Sequence, residues 1–129
     1  MVKPFFLAVM TAFSATAAQA DTYSCQIAAG AETDGWIARE ILVKVKDKTT
    51  VVDDVVLSTV GKPIEARIAR ENSKVAVFSW EVESTDIANN YIRMKYRLTV
   101  QKADGAAQIS ATPLGYANSY SARGACAIS

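Results

Sequence analysis

Hydrophobic and polar residues alternate with a period of two along most of this chain. The clearest run extends from Tyr91 to Lys102, where apolar residues at the even positions 92–100 alternate with polar residues at the odd positions 93–101. A β-strand points successive side chains to opposite faces, so this alternation predicts a strand with one buried and one exposed face. The predicted buried positions are Ile92, Met94, Tyr96, Leu98 and Val100.

A turn signal follows that strand at Asp104-Gly105. These two residue types tolerate positive φ, which a two-residue type I′ hairpin requires. Such a turn predicts that Val100 pairs with Ile109 and that Leu98 pairs with Ala111. Apolar residues then share one face of the hairpin, which supports the predicted register.

The run from Lys74 to Glu83 alternates in the same way, with Ala76, Phe78, Trp80 and Val82 on its apolar side. The connection 84–90 returns the chain, so we predict antiparallel pairing with the strand that follows. The predicted inner neighbours are Trp80 with Met94 and Phe78 with Tyr96.

Charged residues occupy the opposite face of these two strands. Glu81 and Glu83 are predicted to lie opposite the basic ladder of Arg93, Lys95 and Arg97. We interpret the ladder as part of cross-strand ion pairs. The alternative is an anion-binding or nucleic-acid-binding stripe.

Shorter runs of the same kind complete the pattern, and together they give about eight strands in series with short links. We therefore predict an all-β fold, a small antiparallel up-and-down barrel of about eight strands, with a β-sandwich as the alternative. Closure removes exposed sheet edges, and a barrel of this size is filled by its own side chains. The remaining predicted strands are Tyr23 to Ala28, Ala38 to Lys46, Thr50 to Leu57, Ile64 to Arg70 and Tyr120 to Ala127.

The two cysteines of the chain lie in the first and last predicted strands. An even number of cysteines in an exported protein indicates a structural disulfide. We predict a bond between Cys25 and Cys126 that closes the barrel. This pairing requires the first and last strands to be neighbours.

The first twenty residues have the pattern of a secretory signal peptide. A positively charged start precedes the apolar run Phe5 to Phe13, and small residues end at Ala18-Gln19-Ala20. We expect cleavage after Ala20 and export to the periplasm as one domain, residues 21–129. The apolar run is too short to span a membrane, so we expect no stable membrane insertion.

Composition narrows the possible functions. The chain has 129 residues, half of them hydrophobic, with 14 Lys and Arg against 13 Asp and Glu. Lys3 belongs to the predicted signal, so the remainder has no formal net charge and no overall electrostatic attraction to nucleic acid. The absence of histidine excludes Ser-His-Asp and Cys-His catalysis and His-ligated zinc. We expect no enzymatic activity and no cofactor.

Two acidic pairs are candidates for chemistry. Asp53 and Asp54 are adjacent, so on a strand they point to opposite faces, and we interpret them as a strand end or bulge and not as a metal site. Glu81 and Glu83 share a face but lie on a flat surface opposite basic residues, which disfavours a glycosidase pair. We assign no catalytic and no metal-binding residue.

Two aromatic loops remain as candidate binding surfaces. One contains Trp36 in the sequence Asp34-Gly35-Trp36, and the other runs from Leu114 to Arg123. Tyr and Arg are common at binding surfaces, while the alternative is that these aromatics only cap the barrel. The candidate binding residues are Trp36, Tyr116, Asn118, Tyr120 and Arg123.

Several short motifs resemble those of small exported alphaproteobacterial proteins. They are Tyr23-Ser24-Cys25, Gly35-Trp36-Ile37, Gly61-Lys62-Pro63, Phe78-Ser79-Trp80-Glu81, Tyr96-Arg97-Leu98 and Ser121-Ala122-Arg123-Gly124-Ala125-Cys126. This resemblance implies export and a β architecture. The Tyr-x-Cys start is distantly similar to periplasmic inhibitors of C-type lysozyme, which use a loop containing Ser-Gly. The chain has no Ser-Gly dipeptide, so no inhibitory residue is transferred.

These observations together predict a periplasmic, non-enzymatic binding or interaction module. Its partner is expected to be a protein or a small ligand, and not nucleic acid. One alternative is an inhibitor of a cell-wall-degrading enzyme. Another is a small-ligand carrier of lipocalin type, which requires an unfilled apolar interior.

Overall fold

The structure is a computed structural model that describes residues 21–85, 88–116 and 118–129. The predicted signal peptide lies outside the described residues. A 3-10 turn, Ala31–Thr33, and a helix, α1 (Asp54–Thr59), accompany the strands, and neither is long enough to cross a membrane. The strands are β1 (Thr22–Ile27), β2 (Glu40–Lys44), β3 (Thr50–Asp53), β4 (Ile64–Glu65), β5 (Arg67–Glu71), β6 (Val75–Thr85), β7 (Tyr91–Gln101), β8 (Ala106–Pro113) and β9 (Tyr120–Ile128).

All of the strands belong to one antiparallel sheet with the order β4-β3-β2-β1-β9-β8-β7-β6-β5. The two outer strands, β4 and β5, are separated in the chain only by Ala66. The sheet therefore returns to its starting point and forms a nearly closed barrel. This confirms the predicted up-and-down barrel, with β4 and β5 as two halves of one predicted strand.

Side chains from all sides of the sheet fill the barrel interior. Tyr23 packs edge-on against Phe78 with ring centroids 4.9 Å apart, and Trp80 stacks on Tyr96 at 5.5 Å. Aliphatic side chains complete this cluster, so the predicted apolar faces of β6 and β7 do form the core. The largest aliphatic side chains that are fully buried include Ile41, Met94, Leu98 and Ile109.

The Cys25–Cys126 disulfide joins the first and last strands, as predicted. The two residues lie directly opposite one another in the β1–β9 pairing, with Cα atoms 3.9 Å apart. Both are buried, so the bond is part of the core and not an exposed link.

The registers of the two long hairpins differ from the prediction by two residues. Trp80 lies opposite Tyr96, and Val100 lies opposite Ala107. The β7–β8 connection has four residues, 102–105, because only Gly105 takes a positive φ and its N–H donates to the carbonyl of Gln101. A shift of two residues keeps each side chain on its predicted face.

The predicted strand from Thr50 to Leu57 is wrong in its second half. The strand ends at Asp53, and α1 begins at the next residue. The Asp53 carboxylate accepts a hydrogen bond from the Val56 N–H at 2.8 Å, which is the arrangement of a helix N-cap. Capping therefore overrides the strand preference of the valines that follow.

The loops differ in length between the two ends of the barrel. Strands β1, β3, β6 and β8 all end at the same end of the barrel, where the longer connections begin, and we call it the long-loop end. Connections 45–49, 72–74 and 102–105 lie at the other. The sequence-predicted binding loops belong to the long-loop end.

Candidate functional site

The β1–β2 connection folds over the long-loop end of the barrel. Thr33 and Ile37 are buried, and the Thr33 hydroxyl donates to the carbonyl of Gly30. From below, the Tyr96 hydroxyl donates to the carbonyl of Trp36 at 2.6 Å. Burial raises the pKa of Tyr96, and the nearby charge of Asp53 adds to this effect. Tyr96 therefore remains a neutral donor that fastens the loop to the core.

A second set of contacts joins this loop to the β8–β9 connection. The Tyr120 hydroxyl donates to the Asp34 carboxylate at 3.3 Å and accepts from the side-chain amide of Asn118 at 3.3 Å. Asp34 and Gly35 both adopt positive φ, which turns the chain toward Tyr120. The two predicted binding loops are thus held together.

Three large apolar side chains remain exposed near these loops. Tyr91 and Tyr116 are each 53% exposed and Leu114 is 42% exposed. Tyr91, Leu114 and Arg93 line a surface cleft of about 280 Å³. The backbone beneath them is fixed, because the Leu114 N–H donates to the Arg93 carbonyl and the Tyr116 N–H donates to that of Pro113.

Four of the five predicted binding residues lie at the long-loop end, but Arg123 does not. Trp36 is half-buried and Tyr120 is partly buried, so both support the loops, while Tyr116 and Asn118 are exposed. Arg123 lies on β9 opposite Gln108, on the outer face of the barrel. It is three residues from Tyr120, and an odd separation along a strand places two side chains on opposite faces.

Leu114 begins one of the two predicted binding loops, but neither Leu114 nor Tyr91 was predicted to be a binding residue. Tyr91 begins β7, and Leu114 directly follows β8, the strand paired with β7. Hairpin pairing with the correct turn length brings these two positions to the same end. The sequence therefore contained the information that these two residues lie close together, but its use required the correct register of β7 and β8.

The basic ladder of β7 forms fewer ion pairs than predicted. Arg93 contacts both glutamates, with Nε 3.7 Å from Glu81 and a terminal nitrogen 3.3 Å from Glu83. Lys95 lies opposite Glu81 in the register but forms no ion pair with a described residue. Arg97 is likewise left without an acidic partner among the described residues.

Asp53 is the buried carboxylate of the long-loop end, with a side chain that is almost fully covered. Burial raises its pKa, whereas the N–H groups of Val56 and Val55 partly lower it and Asp54 raises it again. No group of three potential metal ligands is found within the described part of the chain. The role that the contacts give Asp53 is to cap α1.

We predict different effects for two substitutions of Asp53. Asp53→Asn keeps an acceptor for the Val56 N–H and removes a buried charge, so the free energy of unfolding at neutral pH should stay the same or increase. Asp53→Ala removes the cap and should lower it by about 1 kcal/mol. Urea unfolding of both variants beside the parent protein measures the difference.

The raised pKa of Asp53 also predicts how the free energy of unfolding of Asp53→Asn, compared with that of the parent protein, depends on pH. In the folded chain the Asp53 carboxylate binds its proton at a higher pH than in the unfolded chain, where its pKa is near 3.8. The carboxyl therefore stabilises the fold more as pH falls through its folded pKa. Any advantage of Asp53→Asn should be present at neutral pH and disappear near pH 3.8. An advantage that grows at low pH would contradict this.

No protein-family model matches the chain, and comparison with curated proteins and with solved structures finds no match either. The geometry of the chain itself must therefore support any assignment of function.

Proposed function

We propose that this protein is an exported, non-enzymatic binding module that contacts a protein partner through its long-loop end. The observation that carries this proposal is the exposure of Tyr91, Leu114 and Tyr116 on backbone fixed by hydrogen bonds. Exposed apolar side chains grouped with an arginine are typical of protein-binding surfaces. Because hydrogen bonds from Tyr96 and with Tyr120 already hold the Trp36 carbonyl and the side chains of Asp34 and Asn118, binding beside them costs little conformational entropy.

Export to the periplasm is part of the same proposal. The disulfide supports it, because such bonds persist in oxidising compartments and are rare in the cytosol. The lack of histidine and the structural role of Asp53 support a module that binds without catalysis. The packed aromatic interior gives no support to a carrier of apolar ligands.

Photo-crosslinking in producing cells tests the proposed binding end. A benzoylphenylalanine at position 116 should give a discrete cross-linked adduct with one protein. The same residue at position 103, which is exposed at the opposite end of the barrel, should give none. Leu114→Ala should reduce the adduct from position 116, because the side chain belongs to the same apolar surface.

Two results would contradict the proposal: no adduct from position 116, or equal adducts from both positions. The lysozyme-inhibitor alternative is a special case of protein binding and has its own assay. It requires that the purified protein slows C-type lysozyme at micromolar concentration, and that Tyr116→Ala relieves this inhibition.

A further inference from the structure

The outer face of strands β5 to β9 carries two polar rows that run across the sheet. In each row, neighbouring residues lie directly opposite one another on adjacent strands. Neither row contains an acidic or an aromatic residue. The first row is Arg67, Ser79, Arg97, Ser110 and Ser121, and the second is Arg70, Val77, Thr99, Gln108 and Arg123.

Positive charge is concentrated on this surface, which we call the cationic face and which comprises the two rows and Lys95. All four arginines and Lys95 are exposed, and none forms an ion pair with a described residue. Residues 21–129 carry equal numbers of positive and negative side chains. The positive charge of this face is therefore due to the uneven distribution of charges over the surface and not to a net positive charge of the protein. A segregated patch attracts anions even on a neutral protein.

Two clefts lie along the cationic face, one at each side. The larger, of about 510 Å³, is lined by Arg67, Ser79 and Lys95 together with the residues of the β4–β5 break. Its glutamates, Glu65 and Glu81, are already within ion-pair distance of Lys48 and Arg93. Arg67 and Lys95 therefore face the cleft without an ion-pair partner among the residues that the structure describes.

A serine hydroxyl also lines this larger cleft. Ser79 is only 5% exposed, although it lies on the outer face, and its hydroxyl makes no hydrogen bond to a described residue. Trp80 contributes to the wall of the cleft, but its ring is buried in the barrel interior and stacks on Tyr96, so its indole Nε1 does not contact a ligand on the outer face. The Ser79 hydroxyl can donate to, or accept from, a group bound in the cleft.

The smaller cleft, of about 220 Å³, is lined by Thr99, Gln108 and Arg123 among others. It lies at the β8–β9 side of the same rows, while the larger cleft lies at the β5–β6 side. Four spacings of about 4.8 Å separate β5 from β9, which is about 19 Å along the sheet. A ligand that occupies both clefts must therefore be extended.

We propose that the cationic face binds an anionic polysaccharide whose chain crosses strands β5 to β9. The arginines and Lys95 would hold its carboxylates. The hydroxyls of Ser79, Thr99, Ser110 and Ser121 and the amide of Gln108 both donate and accept, which matches the hydroxyl groups of sugars. This site is distinct from the protein-binding long-loop end.

Other polyanions fit this surface less well. Single-stranded nucleic acid is usually bound with aromatic side chains that stack on its bases, and the two rows have none. Insertion into an anionic membrane needs apolar anchors, and the only apolar residue of the two rows, Val77, is buried. An acidic peptide would use the arginines but leave most of the hydroxyls without partners.

Calorimetric titration of the purified disulfide-bonded protein with polygalacturonate at low salt tests this inference. We expect binding that weakens as salt is added, because the contacts are ionic. Arg67→Ser combined with Arg97→Ser should weaken it about tenfold or more, since two charge-assisted contacts are lost. The control variant, Lys44→Ser with Lys46→Ser, removes the same charge from exposed positions far from this face and should bind like the parent.

Polyglutamate, oligothymidylate and phosphatidylglycerol vesicles serve as competing probes. Weaker binding of all three than of polygalacturonate supports the polysaccharide assignment, and equal or tighter binding of any one overturns it. No binding of polygalacturonate, or an equal loss in the arginine and lysine variants, overturns the site itself. Thermal unfolding of each variant checks that the barrel is intact, and the adduct from position 116 should persist in the arginine variant.

Discussion

Replacement of both cysteines by alanine is expected to lower the free energy of unfolding by about 4 to 5 kcal/mol. The bond joins residues separated by 101 positions, so it restricts nearly the whole unfolded chain. It should matter less to the folded geometry, because β1 and β9 pair from Tyr23 to Ile27 around it. The variant should therefore fold to the same barrel and unfold at a much lower urea concentration.

Chemical reduction of the parent protein is the matched control for this prediction. Reduction breaks the same bond but keeps the buried sulfur atoms, so the two losses should agree within about 1 kcal/mol. A loss from the double substitution below about 1 kcal/mol would show that the unfolded chain is already restrained without the bond. Far-ultraviolet circular dichroism should be the same for both proteins before unfolding.

For the two long hairpins, the sequence predicted correctly which face of the sheet each side chain lies on, whereas the predicted cross-strand partners were wrong by two residues. Phe78 and Leu98 point inward whether the strands pair in the predicted or in the observed register, because the two differ by an even number of residues. The number of residues in each turn decides the register. The residues Asp104-Gly105 predict a turn, but nothing in the sequence indicates that the turn also includes Lys102 and Ala103.

Local propensity and tertiary context compete in the segment after β3. The valines that flank Asp53 and Asp54 favour a strand, and the alternation alone extends it to Leu57. The sheet, however, uses this segment only up to Asp53. The Asp53 side chain then caps α1. Aspartate is a common N-cap residue, but it could be recognised as one here only if the end of the strand was known.

The candidate sites depended on contacts that a one-dimensional pattern does not contain. Opposite charges on β6 and β7 predicted ion pairs, and the strands do bring them together. The pattern could not tell that Arg93 alone would engage both glutamates and leave Lys95 and Arg97 without a partner. Arg123 is a different case, because the strand predicted from Tyr120 begins at the observed residue and its alternation already places Arg123 and Tyr120 on opposite faces.

Gly124 is the position where we expect the second large effect on stability. It lies on β9 opposite Ile27 of β1, and an added Cβ would meet the backbone carbonyl of Gln26 and lie 2.8 Å from the Ile27 Cα. Backbone atoms cannot rotate away as a flexible side chain can, so the strands beside the disulfide must separate. Gly124→Ala should lower the free energy of unfolding by about 3 kcal/mol.

Two other glycines separate the effect of crowding from that of backbone strain. Gly115 has a φ of 88° and open space around it, so Gly115→Ala should cost only about 1 kcal/mol for the left-handed conformation. Gly105 combines a φ of 78° with a close approach to the Cys126 carbonyl, so Gly105→Ala should cost more than Gly115→Ala. Urea unfolding of the three variants gives the order. A Gly124 variant as stable as the Gly115 variant would contradict the close approach of β9 to β1, on which closure of the barrel at the disulfide depends.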